Sequence, residues 1–251
     1  MKKIMILMLT LAIAGGAEAK KKNTKASKVD SLTVTIKGMH CGGCAKKVKS
    51  ILTQGNGAEN VKVNLERNTA TIFYNPAVVS ADTLKARLAA TKRYAPTAYS
   101  KNDVISRKVA YYIADMTCGG CAKKIEKTVM DAGGVDSVNV DIKKHAITVY
   151  YDANKVSRND FRTAIDAQGY SPLAYSDSPR VDYAYYKIPA DKATAETAEE
   201  LLALDNVADV NVNAKRNTVA IMYSVKNLAA QKVLENVKAA GIAAELPETK
   251  K

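Results

Sequence analysis

The chain has 251 residues, 47% of them apolar, with no Trp and two Phe, so Val, Ile, Leu and Tyr must fill whatever core it buries. That length suits one large domain or two to three small ones. A formal net charge of +13 admits an anionic partner, but no stretch interleaves aromatic with basic residues, which argues against nucleic acid.

The N-terminus reads as an address. Met1-Lys2-Lys3 is basic, Ile4 to Ala14 is an apolar run, and Ala17-Glu18-Ala19 has the small-x-small pattern of a cleavage site. The apolar run falls short of the roughly 18–20 residues a bilayer requires, and Gly15-Gly16 interrupts it. We therefore expect residues 1–19 to be a signal peptide. The mature chain would be exported, periplasmic in a cell with an outer membrane, and without stable membrane insertion. Its net charge would be +12. Residues 20–30, which include Lys20 to Lys28 (KKKNTKASK), read as a basic disordered tether.

Beyond the tether the sequence repeats itself. A shift of 77 residues lays Cys41 and Cys44 on Cys118 and Cys121, Val61 and Val63 on Val138 and Val140, and Leu84 and Leu88 on Phe161 and Ile165. A shift of 149 lays Val61 to Thr69 on Val210 to Thr218. Self-similarity over whole elements marks a tandem array. Its units are placed at 31–100, 108–176 and 181–246, with linkers at 101–107 and 177–180.

Each unit carries the same order of elements. In the first, Ser31 to Lys37 alternates apolar and polar residues as a strand does. From Cys44, the spacing of Val48, Ile51 and Leu52 gives a helix one apolar face, opposite Lys46, Lys47 and Lys49. Val61 to Leu65 and Thr69 to Tyr74 form two strands joined by a tight turn through Arg67-Asn68. Ser80 caps a second helix with Leu84 and Leu88 inward, and a short strand near Pro96 to Tyr99 closes the unit. The order β-α-β-β-α-β predicts an α+β fold. It consists of three tandem ferredoxin-like sandwiches, each an antiparallel sheet with both helices on one face.

All four cysteines lie in two matching stretches, Gly38-Met39-His40-Cys41-Gly42-Gly43-Cys44 and Asp115-Met116-Thr117-Cys118-Gly119-Gly120-Cys121. Residues three apart at a helix start lie on one side, so both sulfurs of a pair reach one point. The positive helix end favours thiolate, and Lys46, Lys47, Lys123 and Lys124 sit one turn further on. Two sulfurs without hard oxygen ligands select soft ions, Cu(I) first, then Hg(II) or Ag(I). Zn(II) would need further ligands, such as His40. Two other uses of such a pair remain. A redox dithiol fits an exported chain. A structural disulfide gains little from closing so short a loop. In the third unit Ala190 and Ala193 occupy the cysteine positions, leaving a scaffold without thiols. The three units carry net charges of +7, +1 and −2 in turn.

The Gly-Met-His-Cys-Gly-Gly-Cys stretch, Gly133 to Asp141 and Gly169-Tyr170 together resemble the heavy-metal-associated domain. That family includes copper chaperones, the N-terminal modules of copper-transporting ATPases and the periplasmic mercury-binding protein. The resemblance covers the first two units and reaches the third only in scaffold. It implies that Cys41, Cys44, Cys118 and Cys121 ligate a metal ion and that Met39 and Met116 pack beneath their loops. It also implies that Tyr170 and Tyr94 lie beside the sites. It further implies metal transfer to or from a protein with exposed thiols, such as a metal-transporting ATPase or efflux component, and no catalytic activity. The rival expectations are a periplasmic dithiol–disulfide oxidoreductase and a mercury scavenger.

Overall fold

In the computed structural model, residues 29–226 and 228–247 are described. The segment read as a signal peptide and all but the last two residues of the tether lie outside them. Among the described residues no helix is long and apolar enough to cross a membrane.

The first unit runs β1 (Asp30–Lys37), α1 (Gly42–Thr53), β2 (Ala58–Asn64), β3 (Thr69–Tyr74), α2 (Ala81–Ala89) and β4 (Ala95–Ala98). Its antiparallel sheet has the order β2-β3-β1-β4. Alternation along β1 turns Val34 and Ile36 to the side where α1 contributes Val48 and Leu52, and α2 Leu84 and Leu88. These six are at most 1% exposed. Truncating one such Leu to Ala would cost about 2–5 kcal/mol. α2 starts where expected, with the Ser80 hydroxyl accepting the Thr83 N–H at 3.1 Å.

The second unit repeats the plan with β5 (Ser106–Ile113), α3 (Gly119–Asp131), β6 (Val135–Asp141), β7 (Ala146–Asp152), α4 (Arg158–Ala167) and β8 (Pro172–Ala174). The strand order β6-β7-β5-β8 is the same. β5 begins inside the stretch read as a linker. Its core gathers Ile113, Ile125, Val129, Ile147, Phe161 and Ile165.

The third unit departs from the plan. Its sheet holds three strands, ordered β10 (Val207–Asn213), β11 (Thr218–Ser224), β9 (Val181–Lys187). In place of a fourth strand a single bridge joins Lys187 to Glu245. Ala190–Lys192, where the cysteines would be, form one 3₁₀ turn after Pro189. α5 (Ala195–Leu202) starts later, capped by Thr194. With eight residues, α5 is shorter than α1, which has twelve. α6 (Ala230–Ala239) completes the unit.

The units touch through their β-hairpins. From the first, Arg67 Nε donates to the Ala153 carbonyl at 2.9 Å, and the Glu66 carboxylate accepts the Arg158 N–H at 2.7 Å and the Tyr151 hydroxyl. From the third, Asp209 takes both Arg162 guanidinium nitrogens at 2.9 Å, and Asn213 donates to the Tyr170 carbonyl at 3.0 Å.

Candidate metal centres

Each cysteine pair sits where a strand enters a helix, and the first cysteine caps that helix. The Cys41 sulfur accepts the Cys44 N–H at 3.3 Å, and the Cys118 sulfur accepts the Cys121 N–H at 3.1 Å. An oxygen side chain ordinarily fills this place. Neither first turn holds an acidic residue, so the positive helix end faces the sulfurs uncompensated.

The approach to the first pair depends on Gly38, at φ +93°, where a Cβ would lie 2.2 Å from the Arg93 carbonyl oxygen. Only glycine combines that backbone angle with that proximity. Asp115 stands at the matching place in the second unit and is not in the left-handed region, so the second loop takes another path. Gly42 and Gly119 have open space around them and leave the approach to the sulfurs clear.

In the first unit Cys41 is exposed and Cys44 is buried, both as free thiols with their sulfurs 2.8 Å apart. The Cys44 thiol is pulled down to about 6, chiefly by its hydrogen bond with the Cys41 thiol and then by the His40 N–H. Burial opposes this, while the Cys41 N–H and the Arg93 guanidinium add to it. Arg93 Nη2 stands 3.6 Å from the Cys44 sulfur, and its guanidinium lies 5.7 Å from the Tyr94 ring centre. In the second unit Cys118 and Cys121 are joined in a disulfide with their Cα atoms 5.2 Å apart. The Lys124 ammonium lies 5.8 Å from the Tyr170 ring centre.

Met39 and Met116 are buried in the two cores beneath the loops. His40 is exposed, and among the described residues no group of three His, Cys, Asp or Glu could hold a metal ion. What each site offers is its two sulfurs. His145, in the hairpin turn between β6 and β7, is half-buried. The turn sets its ring 5.9 Å from that of Tyr112 and leaves its Nδ1 without a partner.

Two contacts at these sites were not legible beforehand. Arg93 could be noticed only as the residue before Tyr94, since its sulfur partner lies 49 positions away. The pairing of Asp115 with Arg216 spans 101 positions and leaves no local signal.

Residues 33–93 and 110–171 match the family model of the heavy-metal-associated domain. A copper-exporting P-type ATPase of Bacillus subtilis is 26% identical over 144 residues, which make up 57% of this chain and 17% of that protein. Copper-transporting ATPase 1 of Rattus norvegicus is 23% identical over 249 residues, covering 88% of this chain and 17% of its own length. The chain thus spans less than a fifth of either relative. Among solved structures, one is the Cu(I)-loaded N-terminal domain of a potential copper-translocating P-type ATPase from Bacillus subtilis. It is 32% identical, covers 30% of this chain and 95% of its own, and superposes with a TM-score of 0.28. The strand order, and not that superposition, carries the fold.

Proposed function

Because its first two units belong to the heavy-metal-associated domain family, we propose that this chain binds soft metal ions at two dithiolate sites and passes them on without catalytic turnover. The ligands are Cys41 with Cys44, and Cys118 with Cys121. Cu(I) is the first cargo, given sulfur-only donors and relatives named for copper. Hg(II) and Ag(I) share that softness, whereas Zn(II) wants more ligands than a pair supplies. The chain acts after export, in the periplasm where there is one.

One observation supports the reading above the others. At each site a cysteine pair opens a helix whose first turn holds no acidic residue, and its outer cysteine is exposed. A thiolate of a partner protein, such as a metal-transporting ATPase or efflux component, can attack the ion at that exposed side. The ion passes through a three-coordinate stage, and the donor sulfurs leave one at a time. The Cys118–Cys121 bond must first gain two electrons and two protons from a thiol reductant, which is itself oxidised to a disulfide.

Native mass spectrometry of the reduced chain should find two Cu(I) ions, and none with all four cysteines changed to serine. A reduced chain that takes up no soft cation, or a four-serine variant that takes up as much, overturns the proposal. The closed Cys118–Cys121 pair favours a second reading, a dithiol–disulfide oxidoreductase. Insulin reduction by the metal-free protein decides for it.

A further inference from the structure

The third unit has no thiols, yet it is seated at the loop end of the second unit. The Lys215 ammonium donates to the Ala167 carbonyl at 3.2 Å, and the Asn213 amide to the Asp166 and Tyr170 carbonyls, each at 3.0 Å. Arg216 reaches furthest. Its Nη1 pairs at 3.2 Å with the carboxylate of Asp115, the residue that opens the second metal loop and whose side chain is 8% exposed. Its guanidinium lies 4.9 Å from the Tyr170 ring centre, on a ring that also takes the Lys124 ammonium from the site's own helix.

The two metal units differ at this spot in a complementary way. Beside Tyr94 the first unit supplies its own arginine, Arg93, which extends to the Cys44 sulfur. Before Tyr170 the second unit has Gly169 and no side chain. A Cβ there would lie 3.1 Å from Arg216 Nε, so the place is filled from the third unit.

The first loop is also supported from the next unit along. Arg107 Nε donates to the Glu66 carbonyl at 2.7 Å. With the Asn68 amide turned over, the orientation in which both its ends find partners, Arg107 Nη2 donates to its oxygen at 3.0 Å. The Asn68 amide nitrogen in turn donates to the Met39 carbonyl, in the loop, at 3.0 Å.

We propose that the cysteine-free third module is a positioning element of the second metal site. Arg216 holds the loop through Asp115 and takes, beside Tyr170, the place that Arg93 fills beside Tyr94. This rests on the reading of Cys118 and Cys121 as metal ligands. It also gives a reason for a third copy that keeps its hairpin without its thiols.

The test uses the full chain with Cys41→Ser and Cys44→Ser, so that only the second site reports. Arg216→Ala is compared with Arg216→Lys and with Arg216→Ala/Asp115→Asn, which leaves no unpaired buried carboxylate. In the reduced, metal-free protein, hydrogen exchange should quicken at Thr117 to Gly120 while β10 and β11 stay protected. With Cu(I) as probe against a chromogenic chelator, Arg216→Ala and the double variant should each weaken binding about tenfold, as loss of an outer-shell partner does. Arg216→Lys should fall between them and the parent. Unchanged loop exchange and unchanged competition in both alanine variants would overturn the proposal. So would exchange that rises evenly across the second and third units, since that reports simple undocking. If the parent binds no Cu(I), the metal reading fails, and loop exchange alone still decides whether Arg216 braces the loop.

Discussion

Cys44 is the hidden member of its pair, and its surroundings set when it gives up a proton. With the thiol pulled down to about 6, chiefly by Cys41 and the His40 N–H, thiolate absorbance of the reduced chain should show its first midpoint there. An ordinary cysteine titrates near about 8.5. Arg93→Ala removes one of the smaller contributions and should move that midpoint upward; an unmoved midpoint would show that the guanidinium does not act on the sulfur. The sign for stability follows. A group lowered by folding adds stability above its unfolded value, and that stability is lost as pH falls through about 6. The reduced first unit should therefore melt at a lower temperature at pH 5 than at pH 8, with the difference reduced in Cys44→Ser.

At the scale of the element, the first cysteine of each pair caps its helix and, under the proposed function, would also ligate the ion. Serine keeps a cap and removes the sulfur, whereas alanine removes both. Cys41→Ala should therefore destabilise the first unit by about 0.5–2 kcal/mol relative to Cys41→Ser in denaturant unfolding of the metal-free protein. Equal stability would mean that the sulfur acceptor contributes nothing. The capping role also shows what a sequence can and cannot announce. Helix and strand periodicity placed α1, α2 and β3 closely, because their apolar residues face one core. The later start of α5 was not legible, since Pro189 and Thr194 shift the cap away from the position that an ungapped overlay assigns. The fourth strand of the third unit failed for a related reason. Residues 242 to 244 offer apolar side chains but only a single bridge, at Lys187 and Glu245, to fix a register.

For the molecule as a whole, the joints between units combine polar contacts with, at the second joint, the stacked rings of Tyr112 and Tyr183, partners far apart in sequence that no local pattern encodes. Glu66 is the keystone of the first joint. It accepts the hydroxyl of Tyr151, a side chain fully buried in the second unit, whose own titration is pushed up by burial first and by that hydrogen bond second. Glu66→Ala leaves the hydroxyl without its partner and should cost about 1–3 kcal/mol in thermal or denaturant unfolding of the full chain. It should also separate the melting of the first unit from that of the second. A single coincident transition with unchanged midpoint would show that the joint carries no energy.

The third sheet ends early, and that has a mechanical outcome. The outer rim of β9 is tied to the rest of its unit by two backbone hydrogen bonds, Lys187 N–H to Glu245 O at 2.8 Å and Glu245 N–H to Lys187 O at 3.0 Å. Fraying begins where the fewest bonds must break together. Warming should therefore loosen this margin first, and because Lys187 pairs with Thr218 beside the Arg216 hairpin, the bracing of the second loop slackens with it.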